Sequence, residues 1–80
     1  MRIQFWHNTT EEFITEFEIA EPLTKEQAKM IEEVIFNTME EYEEEFGDFE
    51  GFDWWECCFH AVKRAGVEII LTPINKIFYI

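Results

Sequence analysis

Residues 24 to 46, TKEQAKMIEEVIFNTMEEYEEEF, form the longest periodic stretch of the chain and its most acidic one. Thr24 stands three residues ahead of Gln27, the spacing at which a cap hydroxyl accepts from the third helical amide while the glutamine side chain reaches back. Pro22 stops a helix from starting sooner. Ala28, Ile31, Ile35, Met39, Tyr42 and Phe46 recur every three or four residues. At ~100° per residue that spacing keeps them in one narrow stripe, so the stretch is expected to be a single long helix with that stripe against a core. Glu26, Glu33, Glu40 and Glu44 fall on the opposite side. Lys25 and Lys29 accompany the first two turns, and the last two turns hold no cation.

The imbalance runs past the helix. Between residues 40 and 56 the acids are Glu40, Glu41, Glu43, Glu44, Glu45, Asp48, Glu50, Asp53 and Glu56, with no Lys or Arg among them. Carboxylates at a helix C-terminus oppose the negative end of the macrodipole at roughly 0.3–1 kcal/mol each, and like charges four apart add a similar penalty. Folding alone would not select this arrangement. A local rule broken without a compensating gain marks a place to look for function.

Outward from the helix, residues 2–7 alternate, Ile3 and Phe5 one way and Arg2, Gln4 and Trp6 the other, as a strand does. Asn8, Thr9 and Thr10 bring turn chemistry. In residues 12–20, Phe13, Thr15, Phe17 and Ile19 share one face and Glu12, Ile14, Glu16 and Glu18 the other, the period-two pattern of a half-buried strand. A short helix capped by Thr10 competes there, since Phe13 and Phe17 also stand four apart. Gly47 is placed to end the long helix in a left-handed conformation. Asp53 before Glu56 opens a second helix, with Trp55, Cys58, Phe59, Val62 and Ala65 expected on its buried face, a stop at Gly66, and Lys63 and Arg64 in its last turn. Residues 67–72 read as a strand, 73–75 as a turn and 76–80 as a terminal strand. The expected fold is α+β: a two-layer arrangement of a four-stranded antiparallel sheet with both helices on one face, in the order β-β-α-α-β-β. Trp6, Ile14, Ile70, Phe78 and Ile80 would then project from the uncovered face. Such a face either serves an interface, homodimerisation included, or signals a strand register off by one residue.

Eighty residues make one domain, 1–80, whose stability rests on a single modest core. Apolar residues at 48% and aromatics at 18% are too many for a disordered acidic tail, so the charge decorates a folded body. A formal net charge of −12 argues against direct contact with nucleic acid or anionic lipid and for a basic protein surface as partner. No apolar run approaches the ~20 residues that span a bilayer, and the opening residues lack signal-peptide organisation, so the expected location is the cytoplasm. The adjacent Cys57 and Cys58 are read as reduced thiols, because neighbouring cysteines seldom meet disulfide geometry.

Little in the chain points to catalysis. It contains no serine. Cys57 and His60 could share a helix side as a nucleophilic pair, but a small buried thiol beside a surface histidine is the plainer reading. His7, Cys57, Cys58 and His60 supply enough zinc-type ligands without the C-x-x-C spacing that chelates well. A calcium loop opening at Asp48 fails the EF-hand template, with Asp53 where Gly is wanted and Phe59 where Glu is wanted. The expectation is therefore no enzyme, cofactor or metal.

The candidate partner-binding residues are Glu33, Glu40, Glu41, Glu44, Glu45, Asp48, Glu50, Asp53 and Trp54. Trp54 is expected to be exposed among the carboxylates, as an aromatic anchor inside a charged rim, or else to cover the end of the long helix. Along that helix Glu33, Glu40 and Glu44 stand about 10 and 6 Å apart, against about one charge per 1.7 Å in a duplex. In size, charge and aromatic richness the chain resembles the small acidic inhibitors that phages deploy against host DNA-acting enzymes, anti-CRISPR proteins among them. That resemblance implies a non-catalytic inhibitor mimicking DNA or RNA charge on a basic nucleic-acid-binding protein, such as a nuclease or CRISPR effector. The other reading is an adaptor or homodimerising module that uses an apolar sheet face and carries its acids for solubility.

Overall fold

The structure is a computed structural model that describes residues 1–70 of the chain. Its elements are β1 (Arg2–Trp6), β2 (Phe13–Ile19), α1 (Lys25–Phe46), α2 (Trp54–Arg64) and β3 (Ile69–Ile70). This is a small α+β fold, with two helices and a three-stranded antiparallel sheet in the order β1-β2-β3. The expected turn at 73–75 and fourth strand at 76–80 lie outside the described residues, as does the end of the strand expected over 67–72.

Residues 13–19 take the strand conformation and not the competing helix. Thr15, Phe17 and Ile19 are buried, and the β1 residues Ile3 and Phe5 pack against the same cluster. The period-two reading fails at one end of β2. Phe5 pairs with Thr15 but Trp6 pairs with Phe13, which leaves Ile14 as an extra residue in the ladder. A bulge of this kind reverses the faces beyond it. Ile14 accordingly turns in and packs on the core, whereas Phe13, expected inside, is exposed.

The bulge also changes the uncovered sheet face. Trp6 and Phe13 meet edge to face there, their ring centroids 5.3 Å apart. The rest of the face is laced by polar side chains. Arg2 donates to Glu18 at 3.2 Å and lies 3.6 Å from Glu16, Gln4 donates to Glu16 at 2.9 Å, and the Trp6 indole donates to Gln4 at 3.2 Å. Among the described residues the exposed large apolar side chains on that side are the Trp6–Phe13 pair at one end and Ile70 on β3, and the expected Phe78 and Ile80 lie outside the described residues.

Both helix starts follow the local signals. Thr24 Oγ1 accepts from the Gln27 amide and Gln27 Oε1 accepts from the Thr24 amide, each at 3.0 Å, which closes the capping box. Asp53 caps α2 by accepting from the Glu56 amide at 2.9 Å. Gly47 ends α1 at φ +82°, and its amide donates to the Glu43 carbonyl at 2.7 Å. Lys63 and Arg64 occupy the last turn of α2 as expected, whereas the last turn of α1 has no basic residue.

The buried face of α2 keeps the expected Cys58 and Val62, with Phe59 and Ala65 packed partly against the core, and departs from the expected one at Trp55. Cys57, Cys58, Ala61 and Val62 are buried, while Trp55, expected inside, is 50% exposed and lies stacked on Phe59 at 4.9 Å. The face turned inward is the one with the smaller side chains, which let α1 and α2 approach closely. The stripe of α1 shifts in the same sense. Ile31 is buried and Val34, Ile35, Thr38, Met39 and Tyr42 are partly buried, but Ala28 and Phe46, at the ends of the expected stripe, are exposed. The core is the cluster of Phe17, Ile19, Ile31, Cys58, Ala61, Val62 and Val67. Here α2 lies directly on β2, and α1 rests on α2.

The connection between the helices is tied down by aromatic side chains. The Tyr42 hydroxyl donates to the Glu50 carbonyl at 2.6 Å. Gly51, at φ +80°, passes so close that a Cβ there would stand 3.4 Å from that hydroxyl. Two substitutions test this tie by urea denaturation. Tyr42→Phe should lower stability by about 1 kcal/mol, the net worth of one hydrogen bond. Gly51→Ala should cost about 1–2 kcal/mol through left-handed backbone strain. Unfolding midpoints unchanged in both proteins would show that the tie contributes nothing to stability.

Candidate functional site

The acids of the second half of α1 and of the following connection surround an aromatic platform. Tyr42 packs on Phe46 with centroids 4.5 Å apart and on Phe52 at 4.9 Å, with Phe49 stacked parallel at 6.4 Å. Trp54 closes the group against Phe52 at 4.6 Å and Phe49 at 5.6 Å, and it meets the His7 ring of the β1–β2 loop edge to face at 4.3 Å. The connection is therefore packed from beneath as well as hydrogen bonded to Tyr42.

On this platform every carboxylate named as a candidate is exposed: Glu33, Glu40, Glu41, Glu44, Glu45, Asp48, Glu50 and Asp53. They do not form one flat row. At ~100° per residue Glu33, Glu40 and Glu44 lie within about 40° of one another around α1, whereas Glu41 and Glu45 are turned some 80–120° further round. Glu43, in the acidic run but not among the candidates, is also exposed and lies on the other flank of the row. The result is a charged collar around the C-terminal half of α1. Asp48, Glu50 and Asp53 continue it through the connection. Asp48 and Asp53 have local duties as well, since Asp48 accepts from the Glu50 amide at 3.0 Å and Asp53 caps α2.

Among the described residues the ion pairs are those of Arg2 with Glu16 and Glu18, on the uncovered sheet face. Neither Lys63 nor Arg64 pairs with an acid of the collar there. Of the two expectations for Trp54, its partial burial as a wall of the platform fits a cover near the end of the long helix better than an exposed anchor, while its neighbour Trp55 presents the open indole. The contribution of Tyr42 was not among the expected site residues. The sequence does carry a sign of it, since Phe49 and Phe52 stand within one short connection of Trp54 and need an apolar partner on the preceding helix.

Cys57 and Cys58 are buried and free, with Cys57 near Thr38 of α1, whose hydroxyl donates to the Val34 carbonyl at 2.7 Å. Burial raises the Cys57 thiol above its ordinary value, and the neighbouring Thr38 offsets part of that. The Cys58 thiol is pushed up to about 12, first by burial and then by the neighbouring Cys57. Both sulfurs thus favour the protonated form, which is neither a nucleophile nor a metal ligand. His60 is exposed on the same helix. Among the described residues, no group of three or more His, Cys, Asp or Glu side chains is arranged to hold a metal ion. Among them, too, no helix is long and apolar enough to cross a membrane. Compared with protein families, curated proteins and solved structures, the chain matches none.

The thiols give a direct check of this packing. Neither cysteine should react with an aromatic disulfide reagent in the native protein, and both should react in guanidinium chloride. Rapid native modification would contradict the packing of α2 on α1. Because the folded value of Cys58 lies above its unfolded one, its contribution is complete below pH 9.0 and is lost as pH rises toward about 12. The stability advantage of the parent over Cys58→Ala should therefore shrink across that window.

Proposed function

We propose that the protein is a non-catalytic inhibitor whose acidic collar occupies a basic nucleic-acid-binding site on a partner protein, in place of DNA or RNA. The observation that carries this reading is the run of exposed carboxylates from Glu40 to Asp53, which no described Lys or Arg neutralises. A basic channel built for phosphates attracts such a surface over long range and excludes its own ligand once occupied. Rigidity adds to the effect, because charges already held in place lose less freedom on binding. Two further features support the reading: the collar is built on packed aromatic rings, and its acids in the last turns of α1 sit where the helix dipole disfavours them.

The partner class is a nuclease, a polymerase or a CRISPR effector, and the setting is the cytoplasm of the cell that contains it. The competing reading, an adaptor or homodimer joined through the sheet, draws on Trp6, Phe13 and Ile70. Its support is weakened by the polar ladder of Arg2, Gln4, Glu16 and Glu18 between those residues.

Capture from a host lysate, followed by competition, tests the proposal. The protein should retain a nucleic-acid-binding enzyme that excess DNA or guide RNA displaces, with binding that falls steeply as salt rises. Reversing Glu40, Glu41, Glu44 and Glu45 to Lys should abolish capture while the circular dichroism spectrum stays native. Capture that persists through both the reversal and high salt would overturn the charge-mimicry reading in favour of the sheet-face adaptor.

A further inference from the structure

Because α1 leans on α2 and α2 on β2, the edge strand β1 has no helix directly over it, and the space between β1 and α1 remains open. It forms a groove of about 910 Å³, lined on the sheet side by Ile3 and Phe5 and on the helix side by Ile35, Phe36 and Met39, and it reaches the aromatic platform at Trp54. Phe36 is 62% exposed, so the helix lip is aromatic and open to solvent. On the helix side Ile35, Phe36 and Met39 present apolar side chains that a bound partner would cover.

The charge around the groove says what kind. Among the described residues its lining includes Glu12 and Glu32 and contains no Lys or Arg. On α1, Glu32, Phe36 and Glu40 follow one another at four-residue spacing, about 6 Å apart along the axis. An exposed phenyl ring thus stands between two carboxylates on the groove's lip, and the second carboxylate belongs to the collar.

We infer that this groove receives an amphipathic, cationic helix of a partner protein, with apolar side chains set between β1 and α1 and Lys or Arg side chains meeting Glu32 and Glu40. A helix laid into a groove presents anchors at positions i, i+3, i+4 and i+7, and flanking cations one turn away match the observed spacing of carboxylates around Phe36. This rests on the proposal that the partner is basic and adds an apolar anchor to it. The collar gives long-range attraction, and the groove gives a short-range contact that salt does not screen.

A designed helical peptide of Leu and Lys at amphipathic spacing serves as the probe, with an oligolysine of equal charge as control, both titrated into isotopically labelled protein. The amphipathic peptide should shift the Trp54 indole and the amides of residues 35–39, leave the Trp55 indole in place, and bind at least ten-fold more tightly than oligolysine. Phe36→Ser, at an exposed site, should bring its affinity down to the oligolysine level with an unchanged circular dichroism spectrum. Equal affinity of the two peptides, or insensitivity to Phe36→Ser, would overturn the inference. So would shifts centred on Phe13 and Ile70, or a dimer in sedimentation that Phe36→Ser dissolves. If oligolysine still binds the collar in those cases, the groove inference alone fails. If neither peptide binds, the basic-partner reading fails with it.

Discussion

The hydrogen bond from the Tyr42 hydroxyl to the Glu50 carbonyl, together with the rings packed around Tyr42, fixes the acidic connection between the two helices in place. It joins the last turns of α1 to a connection that would otherwise be a run of acids and glycines. Through Phe49, Phe52 and Trp54 it continues to His7 and so to the tip of the first hairpin. One cluster thus ties together the C-terminal end of α1, the N-terminal end of α2 and the β1–β2 loop.

That tie accounts for a conflict within the sequence. The C-terminal half of α1 gathers acids at the end of the helix where the dipole opposes them, and no described cation compensates. The losses are small individually, and aromatic burial on the opposite side of the same turns can offset them. Helix and connection are then held by packing, and the carboxylates stay exposed to solvent. The same geometry opens the groove. A helix supported through α2, and not by β1, stands away from the sheet edge and exposes Phe36.

Much of this was legible in the residues. The caps at Thr24, Gly47 and Asp53 depend on local chemistry, and local chemistry is written in adjacent positions. The two helices and the first hairpin follow from period and capping. What was not legible came from the third dimension. A strand read at strict period two cannot announce a bulge, so Phe13 and Ile14 were assigned to each other's faces. On α2 the bulkiest apolar residue expected inside, Trp55, stays half exposed, because close helix packing brought the small Cys57 and Ala61 inward beside the expected Cys58 and Val62. The acidity of the site was plain in the sequence, but its wrapping into a collar and its anchoring by Tyr42 were not, since a bond between residues eight apart across a turn has no periodic signature.

The central physical claim is that residues 47–53 carry their carboxylates on a backbone as firmly held as the helices on either side. Backbone 15N relaxation measures this directly. Order parameters near 0.85 through that connection, matching α1 and α2, are the predicted result. Values below about 0.6 there, beside rigid helices, would mean that the acids are a loose tether, and the account of a preformed negative surface would be contradicted.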